Sequence, residues 1–261
     1  MAHTRPSWRL ITTPPASGAA NMALDEALMS RARATGEWVL RVYTWSTPTI
    51  SLGRNQSALG RYDLDAIARR TLSVVRRPTG GRAILHDREV TYSVTAPVDS
   101  AGDLAESYQR INRLLLEALA SLGVQATMAA PATRASAPGM APCFDEPSAG
   151  ELVVDGRKLA GSAQWRSEGA LLQHGSILVA DDQSTLTDLA LGPMRDIPAP
   201  ATLAATMGRV PSVTEVAGAL ADAVRAVEDP QASELVVDAR LRAEADALVV
   251  RYLDERWTWR R

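Results

Sequence analysis

Apolar residues recur at intervals of three and four along several stretches of the chain, a spacing that places them on one face of an α-helix. The clearest stretch is 105–122. The same spacing follows Asn21, which we expect to cap a helix with Asp25 in its first turn. Towards the C-terminus the sequence predicts one helix opened by a capping box at 212–215 and another over 241–252.

Other stretches are short and rich in β-branched and aromatic residues, which favours strands. Residues 38–45 and 89–96 fit this description, and a further strand is expected around 171–179. Val74 and Val75 should end a strand, because proline and paired glycines follow them. Asp155-Gly156 lies between two short apolar runs, a strong signal for a tight β-hairpin.

The order of these elements predicts the fold class. Strands dominate the first part of the chain and helices the part after about residue 183, which argues for an α+β fold. We predict that residues 1–190 form the main part of one domain and that residues 191–261 are a helical C-terminal extension of the same domain.

Composition excludes several functions. The chain has 261 residues, 46% of them hydrophobic, and a formal net charge of −2, so neither nucleic acid nor an anionic membrane surface is an expected partner. A single cysteine predicts a reducing, cytoplasmic setting without disulfides. The three histidines lack ligand spacing, so no metal site is predicted. No apolar run is long enough for a membrane span.

Two of the residue types that occur only once suggest chemistry. Lys158 is the sole lysine among 28 basic residues, and Cys143 is the sole cysteine. A lysine kept where arginine is used everywhere else indicates a role that a guanidinium cannot fill. A thiol in a proline-rich loop can act as a nucleophile, and a nearby ammonium can polarise a carbonyl. The alternative is an inert buried thiol with a solvated lysine.

A basic glycine-containing loop and two histidines are further candidates. Residues 76–82 could bind an anion through Arg76, Gly80, Gly81 and Arg82, although the spacing is not that of a P-loop and a solvated basic turn is an equal alternative. His86 and His174 could act as bases. A hydrogen-bonded structural histidine is the commoner outcome for both.

Four ordered segments resemble the lipoate and biotin protein ligase superfamily, on its lipoyl side. They are Asn-Met-Ala-Leu-Asp-Glu at 21–26, Arg-Arg-Pro-Thr-Gly-Gly-Arg-Ala-Ile-Leu-His-Asp at 76–87, Gly-Arg-Lys-Leu-Ala-Gly-Ser-Ala-Gln at 156–164 and Gln-His-Gly-Ser-Ile-Leu at 173–178. Within that superfamily, Cys-Phe-Asp-x-Pro-Ser at 143–148 and the later lysine motif resemble the cysteine-dependent octanoyltransferases. The ending Glu-Arg-Trp-Thr-Trp at 255–259 resembles them too.

The resemblance implies a central mixed or antiparallel sheet flanked by helices. It also implies transfer of an octanoyl group from acyl carrier protein, through a Cys143 thioester, to a lysine of the glycine cleavage H protein or another lipoyl domain, without a cofactor. Lys158 would stabilise the oxyanion. The substrate-binding residues would be Arg76, Gly80, Gly81, Arg82, His86, Gly161, Ser162 and His174.

Two other functions stay open at this point. One is an ATP-dependent lipoate ligase, which the segment Gly-Arg-Asn-Gln at 53–56 resembles, with the phosphate held near the 76–82 loop and Lys158. The other is a non-catalytic protein that binds lipoyl domains or acyl carriers. The presence of Cys143 favours the transferase over both.

Overall fold

The computed structural model describes residues 6–130, 150–192 and 198–260. The strands in these parts are β1 (Trp8–Thr12), β2 (Trp38–Tyr43), β3 (Thr49–Leu52), β4 (Ser73–Arg76), β5 (Ile84–His86), β6 (Glu89–Pro97), β7 (Thr127–Met128), β8 (Leu152–Val154), β9 (Arg157–Ser167), β10 (Ala170–Leu178) and β11 (Ser233–Glu234). The helices are α1 (Gly18–Thr35), α2 (Leu64–Arg69), α3 (Val98–Ala101), α4 (Leu104–Ser121), α5 (Ser184–Leu189), α6 (Leu203–Met207), α7 (Val213–Val227), α8 (Ala239–Leu253) and α9 (Glu255–Thr258).

The main sheet has the strand order β11-β1-β2-β6-β10-β9-β8-β7. β1 runs parallel to β2 and β11, and the remaining neighbours are antiparallel, so the sheet is mixed. α1 packs on one face of this sheet, and α4 and α7 contribute to the apolar core on the other. The predicted α+β fold with a central sheet flanked by helices is confirmed.

A second, three-stranded sheet has the order β4-β3-β5. Its strands are short, and β3 pairs in parallel with β4 and antiparallel with β5. The connection between β4 and β5 is the glycine-containing loop identified in the sequence. This small sheet therefore carries one side of the candidate site.

The N-terminal helix begins earlier than predicted. The Ser17 hydroxyl caps α1 by accepting a hydrogen bond from the backbone of Ala20, so Asn21 lies inside the helix. Asp25 consequently lies in the second turn and is fully buried. The prediction of Asn21 as the cap was wrong, because a serine four residues upstream supplies the same hydrogen bond.

The two faces of β6 differ in character. Tyr92 and Val94 belong to the apolar core beneath α4 and α7. Glu89, Thr91 and Ser93 point to the opposite face, where they are also buried. Buried polar side chains need hydrogen-bond partners, so the face beneath α1 must contain a connected polar network.

The β8–β9 hairpin turns at Asp155-Gly156, as predicted. Both residues have positive φ, 50° and 73°, the backbone that a tight two-residue turn requires. The turn places the start of β9 beside β8, with Lys158 opposite Val153. It also fixes which residues face Lys158 across the hairpin.

The C-terminal part of the chain packs on elements formed by the first part. α7 and α8 form where the sequence predicted helices, with Ser212 and Asp238 as their caps. α8 packs against α1 and α9 against β4, while β11 adds a strand beside β1 that was not predicted. None of the described helices is both long and apolar enough to span a membrane.

Candidate active site

Arg76 was predicted to lie in the glycine loop, but it is the last residue of β4 and is fully buried. Its guanidinium donates to the carbonyl oxygens of Gly53, Gln56 and Thr258, at 2.5, 2.8 and 2.8 Å, and of Arg260, at 3.1 Å. These acceptors belong to two separate segments of backbone. The contacts are those of a structural arginine and differ from those expected of an anion ligand.

Arg77 shapes the glycine loop from within. Its guanidinium donates to the carbonyls of Ser51, Gly80 and Arg82 at 2.9, 2.8 and 2.8 Å. Gly81 has φ of +91°, and a Cβ there would lie 2.7 Å from the Arg77 guanidinium. A glycine is therefore required at 81 by both conformation and space.

The glycine loop packs tightly against the neighbouring 53–56 segment. The Arg54 amide donates to the Thr79 carbonyl at 2.7 Å, and a Cβ on Gly53 would overlap the backbone of Gly81. A Cβ on Gly80, in contrast, would meet nothing within 4 Å. Gly80 therefore presents backbone to open space, and Arg82 beside it is half-buried.

His174 connects the glycine loop to a buried ion pair. Its Nε2 lies 2.6 Å from the Thr79 hydroxyl, and its Nδ1 lies 3.2 Å from Asp25. Asp25 also pairs with Arg41 at 2.7 Å and accepts from the hydroxyl of Tyr43 at 2.9 Å. Burial raises the pKa of Asp25, but the Arg41 charge and the His174 hydrogen bond outweigh it and hold that pKa below its usual value. This carboxylate fixes the orientation of His174.

His86 has a similar environment. Its Nε2 lies 2.8 Å from the hydroxyl of Ser51, its Nδ1 lies 3.4 Å from Glu89, and its ring stacks on Trp45 with centroids 4.0 Å apart. Glu89 in turn accepts from the Ser176 hydroxyl. Burial lowers the pKa of His86, so the neutral ring is favoured. The contacts of both histidines agree with structural roles, and that of His174 with Thr79 holds the loop.

Gly161 and Ser162 lie in β9 and His174 in the neighbouring β10, but the side chains of Ser162 and His174 point to opposite faces of the sheet. Gly161 is paired with Ser176, and Ser162 with Gly175, in register across the two strands. A Cβ on Gly175 would lie 2.5 Å from the Gly161 carbonyl, so the strands approach each other without room for a side chain. Ser162 forms a hydrogen bond of 2.7 Å with the hydroxyl of Tyr92.

Tyr92 belongs to a polar network on the face that packs against α4. The Gln173 amide donates to the Tyr92 hydroxyl at 2.8 Å and to Asn112 at 3.1 Å. Asn112 donates to the carbonyl of Gly150 at 2.6 Å. The network thus runs from Ser162 in β9 to the residue at which the described chain resumes.

Lys158 is almost fully buried at the start of β9, and its ammonium donates to Glu151 at 2.6 Å. The predicted nucleophile, Cys143, lies outside the described residues. Sequence reasoning missed Asp25, Thr79 and Glu151 as members of the site. Glu151 lies seven residues before Lys158, on the other side of a predicted hairpin, and that spacing is the signal that could have identified it.

The described residues contain no group of three or more histidine, cysteine or acidic side chains arranged to hold a metal ion. What the site offers instead is a buried ammonium, a glycine loop with exposed backbone, and a strand pair with closely approaching glycines. Ammonium and backbone N–H groups stabilise negative charge that develops on a carbonyl oxygen, so the arrangement suits acyl transfer.

Comparison with known proteins gives a consistent result. Residues 17–225 match the lipoyl protein ligase A/B catalytic domain. The chain is 40% identical to octanoyltransferase LipM of Kyrpidia tusciae, over 98% of this chain and 99% of that protein. It is 37% identical to octanoyltransferase LipM of an Exiguobacterium species, over 99% and 100%. With the Bacillus subtilis protein of that name the identity is 42%, over 72% and 70%.

Solved structures show the same fold. A bi-partite lipoate protein ligase from Thermoplasma acidophilum superposes with a TM-score of 0.77 at 21% identity, over 98% of this chain and 97% of that one. Lipoate-protein ligase A bound with ATP gives 0.72 at 24% identity, over 98% and 99%. These likenesses concern architecture alone.

The chain belongs to the family of lipoyl protein ligase A/B catalytic domains. The resemblance seen in the sequence and the predicted octanoyltransferase class of enzyme are both confirmed by these relatives.

Proposed function

We propose that this protein transfers an octanoyl group from acyl carrier protein to a lysine of a lipoyl-type acceptor, the glycine cleavage H protein or another lipoyl domain, in lipoate synthesis. The observation that carries the proposal is the identity of 37–40% with octanoyltransferases over nearly the whole of both chains. The fold and the buried Lys158 support it. No metal or cofactor enters the scheme.

The proposed reaction has two steps that conserve atoms and charge. The Cys143 thiol ionises, its thiolate attacks the octanoyl thioester carbonyl, and a Cys143 thioester forms as the bond to the carrier sulfur breaks; the carrier leaves as a thiolate that takes up the proton lost by Cys143. The neutral ε-amine of the acceptor lysine then attacks the Cys143 thioester, an amide forms as the bond to the Cys143 sulfur breaks, and the proton lost by the amine nitrogen restores the Cys143 thiol. The free energy of the donor thioester drives the sequence, so no nucleotide is consumed.

Lys158 has the properties that the oxyanion role needs. Its ammonium is a compact donor with three hydrogens, and the Glu151 bond uses one of them. Burial keeps water away, which strengthens its attraction for the negative charge developing on the acyl carbonyl oxygen. Backbone N–H groups near Gly80 and Gly161 would supply further donors.

The cellular setting belongs to the same proposal. A chain with one cysteine and no membrane-spanning helix among its described residues suits the cytoplasm, where acyl carrier protein is available. We also propose that residues 1–190 and 191–261 act as a single domain. The packing of α8 on α1 and of α9 on β4 supports this.

One intact-mass experiment tests the function. The protein is incubated with octanoyl acyl carrier protein without ATP, and we expect one added octanoyl mass that hydroxylamine removes. Cys143→Ser should not form a hydroxylamine-labile adduct.

A second set of reactions contains a lipoyl domain and either octanoyl acyl carrier protein alone or free lipoate with ATP and magnesium.

The two sets distinguish a transferase from a ligase. Modification of the lipoyl domain in the first mixture only is the expected result. If only the ATP mixture modifies the domain, and Cys143→Ser modifies it equally well, the protein is a ligase. If the domain is modified in neither mixture and no thioester forms, both enzymatic functions fail, and binding of the lipoyl domain or the acyl carrier protein would then identify a binding protein.

A further inference from the structure

Glu151 has no role of its own in the function described so far, yet its carboxylate accepts a hydrogen bond from the Lys158 ammonium. The two side chains are joined by an ion pair of 2.6 Å. Both are nearly inaccessible, with 1% of the Lys158 side chain and 6% of the Glu151 side chain exposed. An ammonium and a carboxylate that are removed from water together must compensate each other, because an unpaired buried charge is costly.

The backbone of Glu151 is held in place from several sides. Its carbonyl accepts from the Ala129 amide at 2.8 Å, and the preceding Gly150 amide donates back to Ala129 at 3.0 Å. The Gly150 carbonyl accepts from Asn112 at 2.6 Å. The carboxylate therefore projects from a fixed point towards Lys158.

Lys158 itself needs such a support. A lysine side chain has four rotatable bonds, and its ammonium has no fixed direction without a partner. The β8–β9 hairpin fixes the Lys158 backbone, with its carbonyl accepting from the Ala201 amide at 2.9 Å, but the hairpin leaves the tip of the side chain undetermined. The Glu151 bond removes that freedom.

We propose that Glu151 is a positioning residue for the acyl-transfer reaction: its carboxylate holds the Lys158 ammonium in place, aimed at the acyl carbonyl oxygen. The inference rests on the proposed function. Glu151 does not touch the substrate in this scheme and takes no proton. It acts only through Lys158.

The test measures single-turnover thioester formation over a range of octanoyl acyl carrier protein concentrations, followed by intact mass. Glu151→Gln keeps the size of the side chain and its hydrogen-bond acceptor but removes the charge. We expect the limiting rate of acylation to fall about 10-fold to 100-fold, by analogy with residues that orient metal ligands through hydrogen bonds. The concentration giving half the limiting rate should change less than about twofold, because the donor-binding surface is intact.

Glu37→Gln is the matched control. Glu37 is also a glutamate in partly buried ion pairs, with Arg9 and Arg31 at 2.7 and 2.6 Å, but it lies between β2 and α1, outside the site. Its variant should acylate at the wild-type rate. Thermal unfolding of both variants shows whether they are folded to the same extent.

A double-mutant cycle tests whether Glu151 acts through Lys158. In a Lys158→Met background, Glu151→Gln should slow acylation by less than twofold. An equal loss in both backgrounds, or no loss in the wild-type background, overturns the inference. If wild-type protein itself forms no thioester, the proposed function fails instead, so the two failures are distinguishable.

Discussion

Lys158 is the residue of the site that sequence and structure both single out. The sequence singled it out by composition, and the structure gives a physical reason: its ammonium fits a buried space beside Glu151 at 2.6 Å. A guanidinium is planar and larger, and it distributes its charge over three nitrogens. An arginine at this position would either displace the Glu151 carboxylate or direct its hydrogens away from the acyl oxygen.

We therefore predict that Lys158→Arg loses nearly as much activity as Lys158→Ala. Removing one oxyanion donor typically costs about 100-fold to 1000-fold in rate, and we expect both variants in that range. The measurement is the single-turnover acylation rate with octanoyl acyl carrier protein. Near wild-type turnover of Lys158→Arg would show that the lone lysine is an accident of composition.

Gly175 gives a second prediction on the scale of one residue. A Cβ at 175 would lie 2.5 Å from the Gly161 carbonyl and 2.7 Å from the Ser162 hydroxyl oxygen. Gly175→Ala should force β9 and β10 apart and lower the free energy of unfolding by about 1–3 kcal/mol, with a loss of acylation. Chemical denaturation measures the first effect.

Gly218→Ala is the control for that substitution. Gly218 lies on the exposed side of α7, and a Cβ there meets nothing within 4 Å. Because alanine favours a helix over glycine, the variant should be more stable by about 0.5–1 kcal/mol. Equal effects of the two substitutions would contradict the steric argument for Gly175.

On the scale of elements, the C-terminal segment acts as a support for the glycine loop. Arg76 joins two stretches of backbone, since it donates to Gln56 and Gly53 on one side and to Thr258 and Arg260 on the other. The Trp257 indole adds a hydrogen bond of 2.9 Å to the Arg76 carbonyl. The end of the chain thereby stabilises the segment on which the glycine loop packs.

Arg76→Lys tests this support. A lysine keeps the charge but cannot reach acceptors in both segments with one ammonium, so several buried carbonyls lose their donor. We expect the free energy of unfolding to fall by about 2–4 kcal/mol. Arg70→Lys, at an exposed arginine 3.1 Å from Asp188, should change it by less than about 0.5 kcal/mol. A small effect at both positions would refute the role of Arg76.

The elements that the sequence predicted correctly are those with strong local signals. The spacing of apolar residues with a period of 3.6 predicted α4, and the alternation of Val90, Tyr92 and Val94 predicted β6. Asp155-Gly156 predicted the hairpin. β11 escaped prediction because two residues carry no periodic pattern, and its pairing with β1 spans more than 200 residues. Non-local pairing of this kind leaves no signature in a short window of sequence.

For the site, too, local features could be predicted from the sequence and non-local ones could not. The glycine loop and Lys158 could be recognised from local motifs. The inward direction of Arg76 and the Asp25 contact with His174 could not, because they depend on packing between segments far apart in the chain. Asp25 was predicted in the first turn of α1 because the helix start was placed at Asn21, and the earlier start puts it in the second turn.

On the scale of the whole molecule, two buried or partly buried groups give stability opposite dependences on pH. Burial lowers the pKa of His86 below its usual 6.5. The unfolded chain therefore binds a proton at this residue more readily than the folded protein, and stability falls as the pH drops below about 6.5. Burial raises the pKa of Asp182 from 3.8 to about 6, so the folded protein binds that proton more readily. Stability from Asp182 therefore rises as the pH falls from about 6 towards 4.

We predict that the contributions of His86 and Asp182 to the free energy of unfolding partly cancel in the wild-type protein between pH 6.5 and 4. Variants that lack one of the two groups should show the contribution of the other. His86→Gln removes the first, so its free energy of unfolding should fall less on acidification than that of the wild type. Asp182→Asn removes the second and should make the fall steeper, by about 1 kcal/mol at most because Asp182 is partly exposed. Urea denaturation at half-unit steps of pH measures both slopes, each of which is limited to about 1.4 kcal/mol per pH unit for one proton. If the free energy of unfolding depends on pH in the same way in the wild type and both variants, neither group changes its affinity for protons on folding. A steeper fall in His86→Gln would mean that Glu89, 3.4 Å from the ring, stabilises the charged imidazole more than burial opposes it.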